Sequence, residues 1–345
     1  MPAVVNAGFD PARVVAPARD AAAFHASLPA YRPTPVRELE ALARSVGVGS
    51  LVVKDESDRM GLPSFKVLGA SWAVERALRA RPGVEVLVAA SAGNHGRAVA
   101  RVAAWRGLGC RVLLPARSSA ARRAAIAGEG AEVVVVDGGY EEAVARAAAE
   151  GARPGALELA DVGEGDGPAS WVIDGYATLF RELAEQADAD VLLVPAGVGS
   201  LAAAAARFGA AAGVTVVAVE AAAAPCVSAS LAAGEPVVVE TPGTSMAGLD
   251  CAEVSVAAWP SLRDGLRGAV TVSDAEAHAA MRSLAEAGLR IGDCGAAPLA
   301  ALRALMADPA CAALRDAVGL DADARVALVA TEGVTDPDAY ARVVT

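Results

Sequence analysis

Lysine is the residue type that this sequence most nearly lacks. The 345 residues contain 30 basic side chains, of which two, Lys54 and Lys66, are lysines. Arginine can replace lysine wherever only a positive charge is needed, but it cannot replace a primary amine that must lose its proton and attack a carbonyl. Both lysines are therefore candidates for amine chemistry. Lys66 precedes a helix-like run and is the better candidate, whereas Lys54 ends a short apolar run and is more simply explained as a solvated or salt-bridged lysine.

Long apolar runs and an excess of positive charge are also missing. No run approaches the roughly 20 uncharged residues that a membrane-spanning helix needs, and the net charge is −11. Basic stripes of the kind that bind phosphate backbones do not occur in the sequence. We therefore expect a soluble globular protein that binds a small molecule, with no nucleic-acid or membrane partner.

Cysteine patterns that would indicate disulfides or zinc are absent as well. The five cysteines are scattered along the chain, at positions 110, 226, 251, 294 and 311. They form no CxxC pair and no Cys/His spacing typical of zinc, so we expect no metal site. Residues 1–17 lack the basic segment followed by an apolar block that marks a signal peptide. The expectation is a cytoplasmic protein with reduced thiols.

Most of the chain alternates between short apolar runs and helix-like segments. The runs predict strands at 51–53, 84–90, 110–114, 131–136, 191–194, 215–220 and 325–331. Residues 36–45 are interpreted as a helix, and residues 151–170, rich in Gly, Pro, Asp and Glu, as a connection between lobes. Continuous apolar strands separated by helices indicate an α/β fold with parallel sheets covered on both faces. The order predicts two lobes with a cleft between them.

Three glycine-containing loops stand next to helices, at places where ligands bind in parallel sheets. The loop Ser91-Ala92-Gly93-Asn94-His95-Gly96 suits a carboxylate at a helix N-terminus, and His95 is either a base or a histidine that packs in the turn. Residues 195–201 form either a phosphate cradle or a structural glycine turn. Residues 292–297 carry Cys294, a buried apolar thiol in the simplest interpretation.

These features in combination match the requirements of one cofactor. Pyridoxal phosphate needs an amine for a Schiff base, a phosphate anchor, a group facing its pyridine nitrogen and a site for the carboxylate of an amino acid. A reactive lysine, a phosphate cradle and an anion-binding loop in one cleft would supply these parts. The sequence therefore predicts pyridoxal 5'-phosphate as the cofactor.

The same motifs resemble a known enzyme family. The sequence is similar to the fold-type-II pyridoxal phosphate enzymes, which have the two-lobed architecture of the tryptophan synthase β subunit, and within them to the diaminopropionate ammonia-lyases. The motifs that carry the resemblance are Tyr31-Arg32-Pro33-Thr34-Pro35, Lys54-Asp55-Glu56-Ser57, Ser64-Phe65-Lys66-Val67-Leu68-Gly69, Gly93-Asn94-His95-Gly96, Gly175-Tyr176-Ala177-Thr178, Gly197-Val198-Gly199, Met246-Ala247-Gly248-Leu249-Asp250-Cys251 and Thr331-Glu332-Gly333. Together they span roughly residues 30–340. The resemblance implies a cofactor-binding domain of residues 1–80 plus 165–345, a smaller α/β domain of residues 81–164, and a homodimer.

The resemblance also implies roles for individual residues. Lys66 is the expected Schiff-base lysine, which would also move protons at the substrate Cα. The other expected cofactor contacts are Phe65 beside the ring, Asn94 at its phenolic oxygen, Gly197, Val198, Gly199, Ser200 and Leu201 at the phosphate, and Cys294 at the pyridine nitrogen. The expected contacts of the substrate carboxylate are Ser91, Ala92, Gly93, Asn94 and His95. A neutral group at the ring nitrogen would favour β-elimination over transamination or racemisation.

Two positions depart from the pattern of diaminopropionate ammonia-lyases. In those enzymes the sequence of the first loop is similar to Asp-Gly-Asn-His-Gly, and its acid assists proton abstraction. Here Ala92 takes the place of the acid. The stretch Ser91–His95 is instead similar to serine and threonine dehydratases. A second family acid falls near residues 159–161, where Asp161 is the local candidate for a catalytic role.

The leading prediction is a pyridoxal phosphate-dependent ammonia-lyase. It would catalyse α,β-elimination from a small β-substituted amino acid, similar to 2,3-diaminopropionate or to serine and threonine, and release a 2-oxo acid and ammonia. One alternative is a β-replacement synthase, in which a nucleophile captures the aminoacrylate. The other is a non-catalytic ligand-binding protein that keeps the fold.

Overall fold

The structure is a computed structural model and describes residues 2–160 and 166–345. In these residues the strands are β1 Ala3–Val5, β2 Val36–Glu38, β3 Ser50–Asp55, β4 Val86–Ala90, β5 Gly109–Pro115, β6 Glu132–Val136, β7 Ala156–Glu158, β8 Val191–Pro195, β9 Thr215–Ala221, β10 Gly268–Val272 and β11 Arg325–Ala330. The helices are α1 Asp20–Ala26, α2 Glu40–Val46, α3 Lys66–Ala80, α4 Asn94–Arg106, α5 Ala120–Ala127, α6 Tyr140–Gly151, α7 Pro168–Gln186, α8 Ser200–Ala212, α9 Cys226–Ala233, α10 Trp259–Gly265, α11 Asp274–Glu286, α12 Asp293–Ala307, α13 Ala312–Val318 and α14 Pro337–Val344.

The larger sheet has seven strands in the order β1-β10-β9-β8-β11-β3-β2. Its five inner strands are parallel, and the short edge strands β1 and β2 are antiparallel to their neighbours. All five residues of β8 are buried, as expected for a parallel strand that is covered by helices on both faces. The prediction of parallel sheets in an α/β fold is confirmed.

The smaller sheet has four parallel strands in the order β6-β5-β4-β7. All four strands lie between residues 86 and 158. The strand β7 falls inside the stretch 151–170 that was predicted to be a connection, so that prediction is wrong for Ala156–Glu158. Three residues are too few to show a strand period, and β7 is defined by its pairing with β4 in the folded chain.

The predicted helix over residues 36–45 is wrong at its beginning. Residues Val36–Glu38 form β2, which pairs with β3, and α2 starts at Glu40. Pro33 and Pro35 hold the preceding backbone extended, and the extended conformation continues along the edge of the sheet until Leu39. The pairing with β3 therefore outweighs the helical pattern of the side chains.

Helices α3 and α7 approach each other closely where Gly69 and Gly175 meet. A Cβ atom added at Gly175 would lie 2.8 Å from Gly69 Cα, and one added at Gly69 would lie 2.6 Å from Cε1 of Tyr176. Glycine at both positions permits this crossing because it has no side chain. The crossing fixes α3 less than one turn from its first residue, Lys66.

Residues of both sheets share one apolar core. Val52 and Val194 of the larger sheet belong to the same buried cluster as Leu87 and Val112 of the smaller sheet. Among the described residues, no single helix is long and apolar enough to cross a membrane. The bent helix pair Asp293–Ala307 and Pro309–Val318 together reaches the necessary length and apolar composition, and nothing beyond length and composition indicates a membrane span.

Candidate active site

The predicted site residues lie at the carboxyl ends of strands. Lys66 follows the loop after β3, Asn94 follows β4 and Ser200 follows β8, and each is the first residue of a helix. In the larger sheet β3 and β8 flank β11, whose following residue is Thr331. The loops after β3 and β8 therefore lie at one edge of the larger sheet, where ligands of parallel sheets bind, and Asn94 of the smaller sheet reaches this edge through its contact with Glu332.

Backbone pairing ties the segment after β11 to the loop that carries Lys66. Ser64 and Glu332 form an antiparallel bridge. The N–H of Gly333 donates to the carbonyl of Pro63 at 3.0 Å. Because both contacts lie within three residues of Lys66, they hold the start of α3 against the end of β11.

Lys66 is half-buried and lies next to an aromatic pair. Its Nζ is 5.5 Å from the ring centroid of Phe65, and the Phe65 ring packs at 4.7 Å from that of Tyr176. Phe65 itself is buried. The amine thus lies beside an aromatic wall at the N-terminus of α3.

Lys54 lies in a different environment. Its side chain is fully buried, and its Nζ donates to Thr34 O, Glu182 Oε2 and Gln186 Oε1, each at 2.8 Å. Burial lowers the pKa of Lys54, and the Glu182 carboxylate partly opposes this effect. The alternative of a salt-bridged lysine is confirmed and that of a solvated lysine is wrong, because all three ammonium hydrogens have protein acceptors.

A second buried cation completes this ionic cluster. Arg59 donates to Glu182 Oε1 at 2.7 Å through Nη1 and to Glu56 Oε2 at 2.8 Å through Nε. Thr34 donates its hydroxyl to Glu56 at 2.6 Å. Two cations and two carboxylates therefore neutralise one another beneath the loop that leads to Lys66, which makes the cluster a structural support for that loop.

Residues 197–201 form a cradle at the N-terminus of α8. Gly199 has φ +93°, a conformation that favours glycine. A Cβ atom added at Gly197 would lie 2.6 Å from the carbonyl oxygen of Gly248, so the chain passes Gly248 at a distance that only glycine permits. Ser200 and Leu201 are buried. The N-terminus of a 13-residue helix lies at this point, and the N–H groups of a first helical turn can bind anions.

The stretch from Ser91 to His95 follows β4 of the smaller sheet and includes the first two residues of α4. Ser91 Oγ accepts the N–H of Gly93 at 3.3 Å, and Ser91 and Ala92 are half-buried. His95 is buried, and its Nε2 donates to the carbonyl of Leu159 at 2.8 Å. Its Nδ1 has no hydrogen-bond partner among the described residues. The interpretation of His95 as a packed histidine agrees with this geometry, and its backbone N–H remains for a carboxylate.

An acidic cluster that sequence reasoning did not predict lies beside Asn94. Asn94 Nδ2 donates to Glu332 Oε2 at 2.6 Å. A carboxylate oxygen of Asp293, one of Glu332 and the Sγ of Cys294 all lie within 4.8 Å of one another. Burial raises the pKa of Glu332 to about 7, and Asp293 contributes to the rise. Burial and both neighbouring carboxyl groups raise the pKa of the Cys294 thiol, which stays protonated.

The sequence held one signal of this cluster. Glu332 appeared in the motif Thr331-Glu332-Gly333, but a strand-end acid by itself does not show which side chain it will meet. The other predicted catalytic acid, Asp161, lies outside the described residues.

Comparisons with known proteins identify the family. Residues 27–332 match the model of the pyridoxal-phosphate dependent enzymes. The chain belongs to this family. The diaminopropionate ammonia-lyase of Salmonella typhimurium is 34% identical over 93% of this chain and 90% of its own. The biosynthetic L-threonine dehydratase of Escherichia coli is 30% identical over 73% of this chain and 48% of its own.

A solved structure of a relative extends the agreement to the fold. The diaminopropionate ammonia lyase from Escherichia coli, in complex with an aminoacrylate-PLP azomethine reaction intermediate, superimposes with a TM-score of 0.90 at 29% identity. The superposition covers 99% of this chain and 96% of that one. The predicted fold-type-II architecture and the cofactor of this pyridoxal-phosphate dependent enzyme are thereby confirmed.

The residues present fit pyridoxal phosphate. The cradle at Gly197, which a Cβ atom would fill, opens on the N-terminus of α8 and suits the phosphate. Lys66 offers an amine at the same edge, and the amide of Asn94 and the thiol of Cys294 supply polar groups for a ring. The donor set therefore matches the aldehyde, the phosphate and the ring heteroatoms of the cofactor of this family.

Proposed function

We propose that this enzyme is an ammonia-lyase that catalyses α,β-elimination from a small β-substituted amino acid, similar to 2,3-diaminopropionate or to serine and threonine, and releases a 2-oxo acid and ammonia. The observation that carries the proposal is the placement of Lys66 and the 197–201 cradle at one sheet edge, in a chain that is similar along its length to diaminopropionate ammonia-lyases.

Each site residue has a task in this reaction. Pyridoxal phosphate, when bound, withdraws electrons from the substrate Cα and so stabilises negative charge there. Lys66 would hold the cofactor through its amine and, once the substrate amine replaces it, would take the proton from the substrate Cα. The N–H groups of Gly197 to Leu201 would bind the phosphate, and Phe65, Asn94 and Cys294 would contact the ring. The backbone of the loop Ser91–His95 would bind the substrate carboxylate.

Ala92 supports a second candidate function. In the resemblance to diaminopropionate ammonia-lyases an acid stands at this position, and here the side chain carries no titratable group. A site without this acid would assist the departure of an amine less, and a β-replacement synthase, in which a nucleophile adds to the unsaturated product of elimination, would tolerate its loss. Asp161 is proposed as the second acid of the site.

The organisation of the molecule follows the same proposal. We assign residues 1–80 and 165–345 to a large cofactor-binding domain and residues 81–164 to a small one, which is supported by the confinement of the smaller sheet to residues 86–158. A homodimer in the cytoplasm is proposed as well. The five cysteines, all without a disulfide in the described residues, support a reducing compartment.

The test combines a cofactor measurement with an assay. Purified protein mixed with pyridoxal phosphate should develop a visible absorption band, and borohydride should then fix the cofactor on the peptide that contains Lys66. Lys54 is the internal control, since it is the only other lysine and is buried with three acceptors. Oxo-acid release is then measured with L- and D-diaminopropionate, serine, threonine and O-substituted serines.

The outcomes separate the candidates. A colourless protein that takes up no cofactor contradicts both. Oxo acid formed at a rate that added nucleophiles do not change supports the lyase, whereas a new amino acid formed at the expense of oxo acid supports the synthase.

A further inference from the structure

The hydrogen bond between Asn94 and Glu332 determines how the side-chain amide of Asn94 is oriented, with its nitrogen towards Glu332. The donor is Nδ2 and the acceptor Oε2, at 2.6 Å, between residues 238 positions apart. An ionised carboxylate only accepts hydrogen bonds, so the carbonyl Oδ1 of Asn94 cannot take the place of Nδ2 without facing another acceptor. An amide nitrogen has two hydrogens. The carboxylate uses one of them, and the other remains available in the site.

Glu332 is itself held on both sides by backbone contacts. The N–H of the neighbouring Gly333 donates to the carbonyl of Pro63, and the carbonyl of Glu332 itself accepts the N–H of Gly292 at 3.1 Å. A Cβ atom at Gly292 would lie 3.1 Å from Glu332 Oε1, so glycine at this position leaves the carboxyl group its place. Glu332 therefore acts on Asn94 as a fixed group and not as a mobile surface acid.

The polar and charged neighbours of Glu332 come from four elements. Asp293 and Cys294 lie on α12 within 4.8 Å, and Arg122 of α5 exerts an opposing attraction. Asn94 on α4 is neutral, and Lys66 is the titratable group at the start of α3, two residues from Ser64. Burial and Asp293 outweigh the hydrogen bonds from Cys294 and Asn94 and the attraction of Arg122, and the pKa of Glu332 rises to about 7. Around neutral pH this carboxyl group therefore changes from an acceptor to a group that can also donate.

We propose that Glu332 is a positioning residue that orients the Asn94 amide: in its ionised form it accepts one Nδ2 hydrogen and leaves the second for an anionic oxygen on the cofactor ring. In its protonated form it can donate to Oδ1 of Asn94, which turns the amide and withdraws that second hydrogen from the ring. The inference rests on the proposed function only in that the cofactor occupies this cleft with its ring beside Asn94.

The experiment follows the absorption spectrum of the bound cofactor and needs no turnover. Holoprotein is titrated from about pH 5.5 to pH 9 in the presence of EDTA, so that no cation occupies the acidic cluster. The wild type should show a spectral transition near pH 7, and Glu332→Gln should lack it, because the amide cannot titrate. Asp293→Asn is the matched control: it removes a carboxyl group from the same cluster and should keep the transition at a lower pH.

A second variant tests whether Glu332 acts through Asn94. Asn94→Ala should also abolish the transition, and Glu332→Ala, which leaves the Asn94 amide without its acceptor, should weaken cofactor binding roughly tenfold. Circular dichroism checks that each variant is folded, and if Glu332→Gln does not fold, Asn94→Ala decides. A transition that persists in Glu332→Gln or in Asn94→Ala overturns the inference.

The two proposals fail in different ways. A wild-type protein that binds no cofactor contradicts the proposed function. A wild-type protein that binds it, but whose spectrum does not change between about pH 5.5 and pH 9, overturns the role of Glu332 and leaves the proposed function intact.

Discussion

The ammonium group of Lys54 lies 2.8 Å from the Glu182 carboxylate, and both side chains are buried. Arg59 shares the same carboxylate and also pairs with Glu56, so that two buried cations face two buried carboxylates. Lys54 is thus committed to structure, which leaves Lys66 as the candidate for the proposed amine chemistry.

Replacing Glu182 by glutamine is expected to destabilise the protein by about 3–5 kcal/mol, because it leaves buried positive charge uncompensated. Urea unfolding followed by circular dichroism measures the loss. The matched control is Glu185→Gln on the same helix, where the ion pair with Arg181 is exposed and its loss should cost less than about 1 kcal/mol. Equal effects of the two variants would show that the buried cluster is not a special source of stability.

Replacing Lys66 is expected to abolish oxo-acid formation without loss of stability. Lys66→Ala removes the amine, and Lys66→Arg keeps a positive charge that cannot act as a nucleophile. Both variants should lose at least about a hundredfold in kcat and should show no borohydride-dependent attachment of the cofactor. Near-normal activity of Lys66→Arg would mean that only the charge is needed.

Stability is expected to fall as the pH is lowered from about 6.5 to about 4. Burial lowers the pKa of His25 to about 4 from its usual value of 6.5, so in this interval the unfolded chain binds a proton that the folded chain excludes. His25 is buried between Thr178 and Leu68. His25 accounts for roughly 3 kcal/mol of this loss of stability at most. In His25→Gln the free energy of unfolding, measured by urea unfolding at a series of pH values, should change less with pH over this interval. An unchanged slope would assign the pH dependence to other groups.

Gly197→Ala is expected to weaken cofactor binding by about tenfold or more, which corresponds to roughly 1.4 kcal/mol. The added Cβ would lie 2.6 Å from Gly248 O and 2.9 Å from Cys251 Sγ, so the cradle must shift. The dissociation constant is measured by titration with pyridoxal phosphate. Gly8→Ala is the control, because its Cβ would meet atoms at 3.4 Å or more, an ordinary contact distance. Tight binding by Gly197→Ala would place the phosphate elsewhere.

Ala92→Asp is expected to raise kcat/KM for 2,3-diaminopropionate relative to serine by about tenfold or more. The reason is that a carboxylate can attract the β-amine of the substrate and exchange a proton with it. Ala92 lies in the loop between β4 and α4, two residues before Asn94. Ala92→Asn has nearly the same shape without the charge and should leave the ratio unchanged. If both variants shift the ratio alike, the effect comes from size and not from charge.

Features that depend on neighbouring residues could be predicted from the sequence. The alternation of strands and helices and the glycine loops at helix N-termini each depend on a few consecutive residues. The strand β10 is absent from the predicted strands, and β2 lies where the pattern predicts the start of a helix. Both are defined by pairing in the folded chain, β10 with β1 and β9 and β2 with β3.

The amino-acid sequence by itself determined that a candidate amine and glycine-containing loops next to helices are present, since each is encoded by local residues and their spacing. Only the tertiary structure decided what surrounds them. Glu332 meets Asn94 because the carboxyl ends of β11 and β4, in two different sheets, face each other, and Lys54 meets Glu182 because the fold brings α7 to the end of β3. Contacts between residues more than a hundred positions apart depend on how the sheets and helices pack, and no local pattern records them.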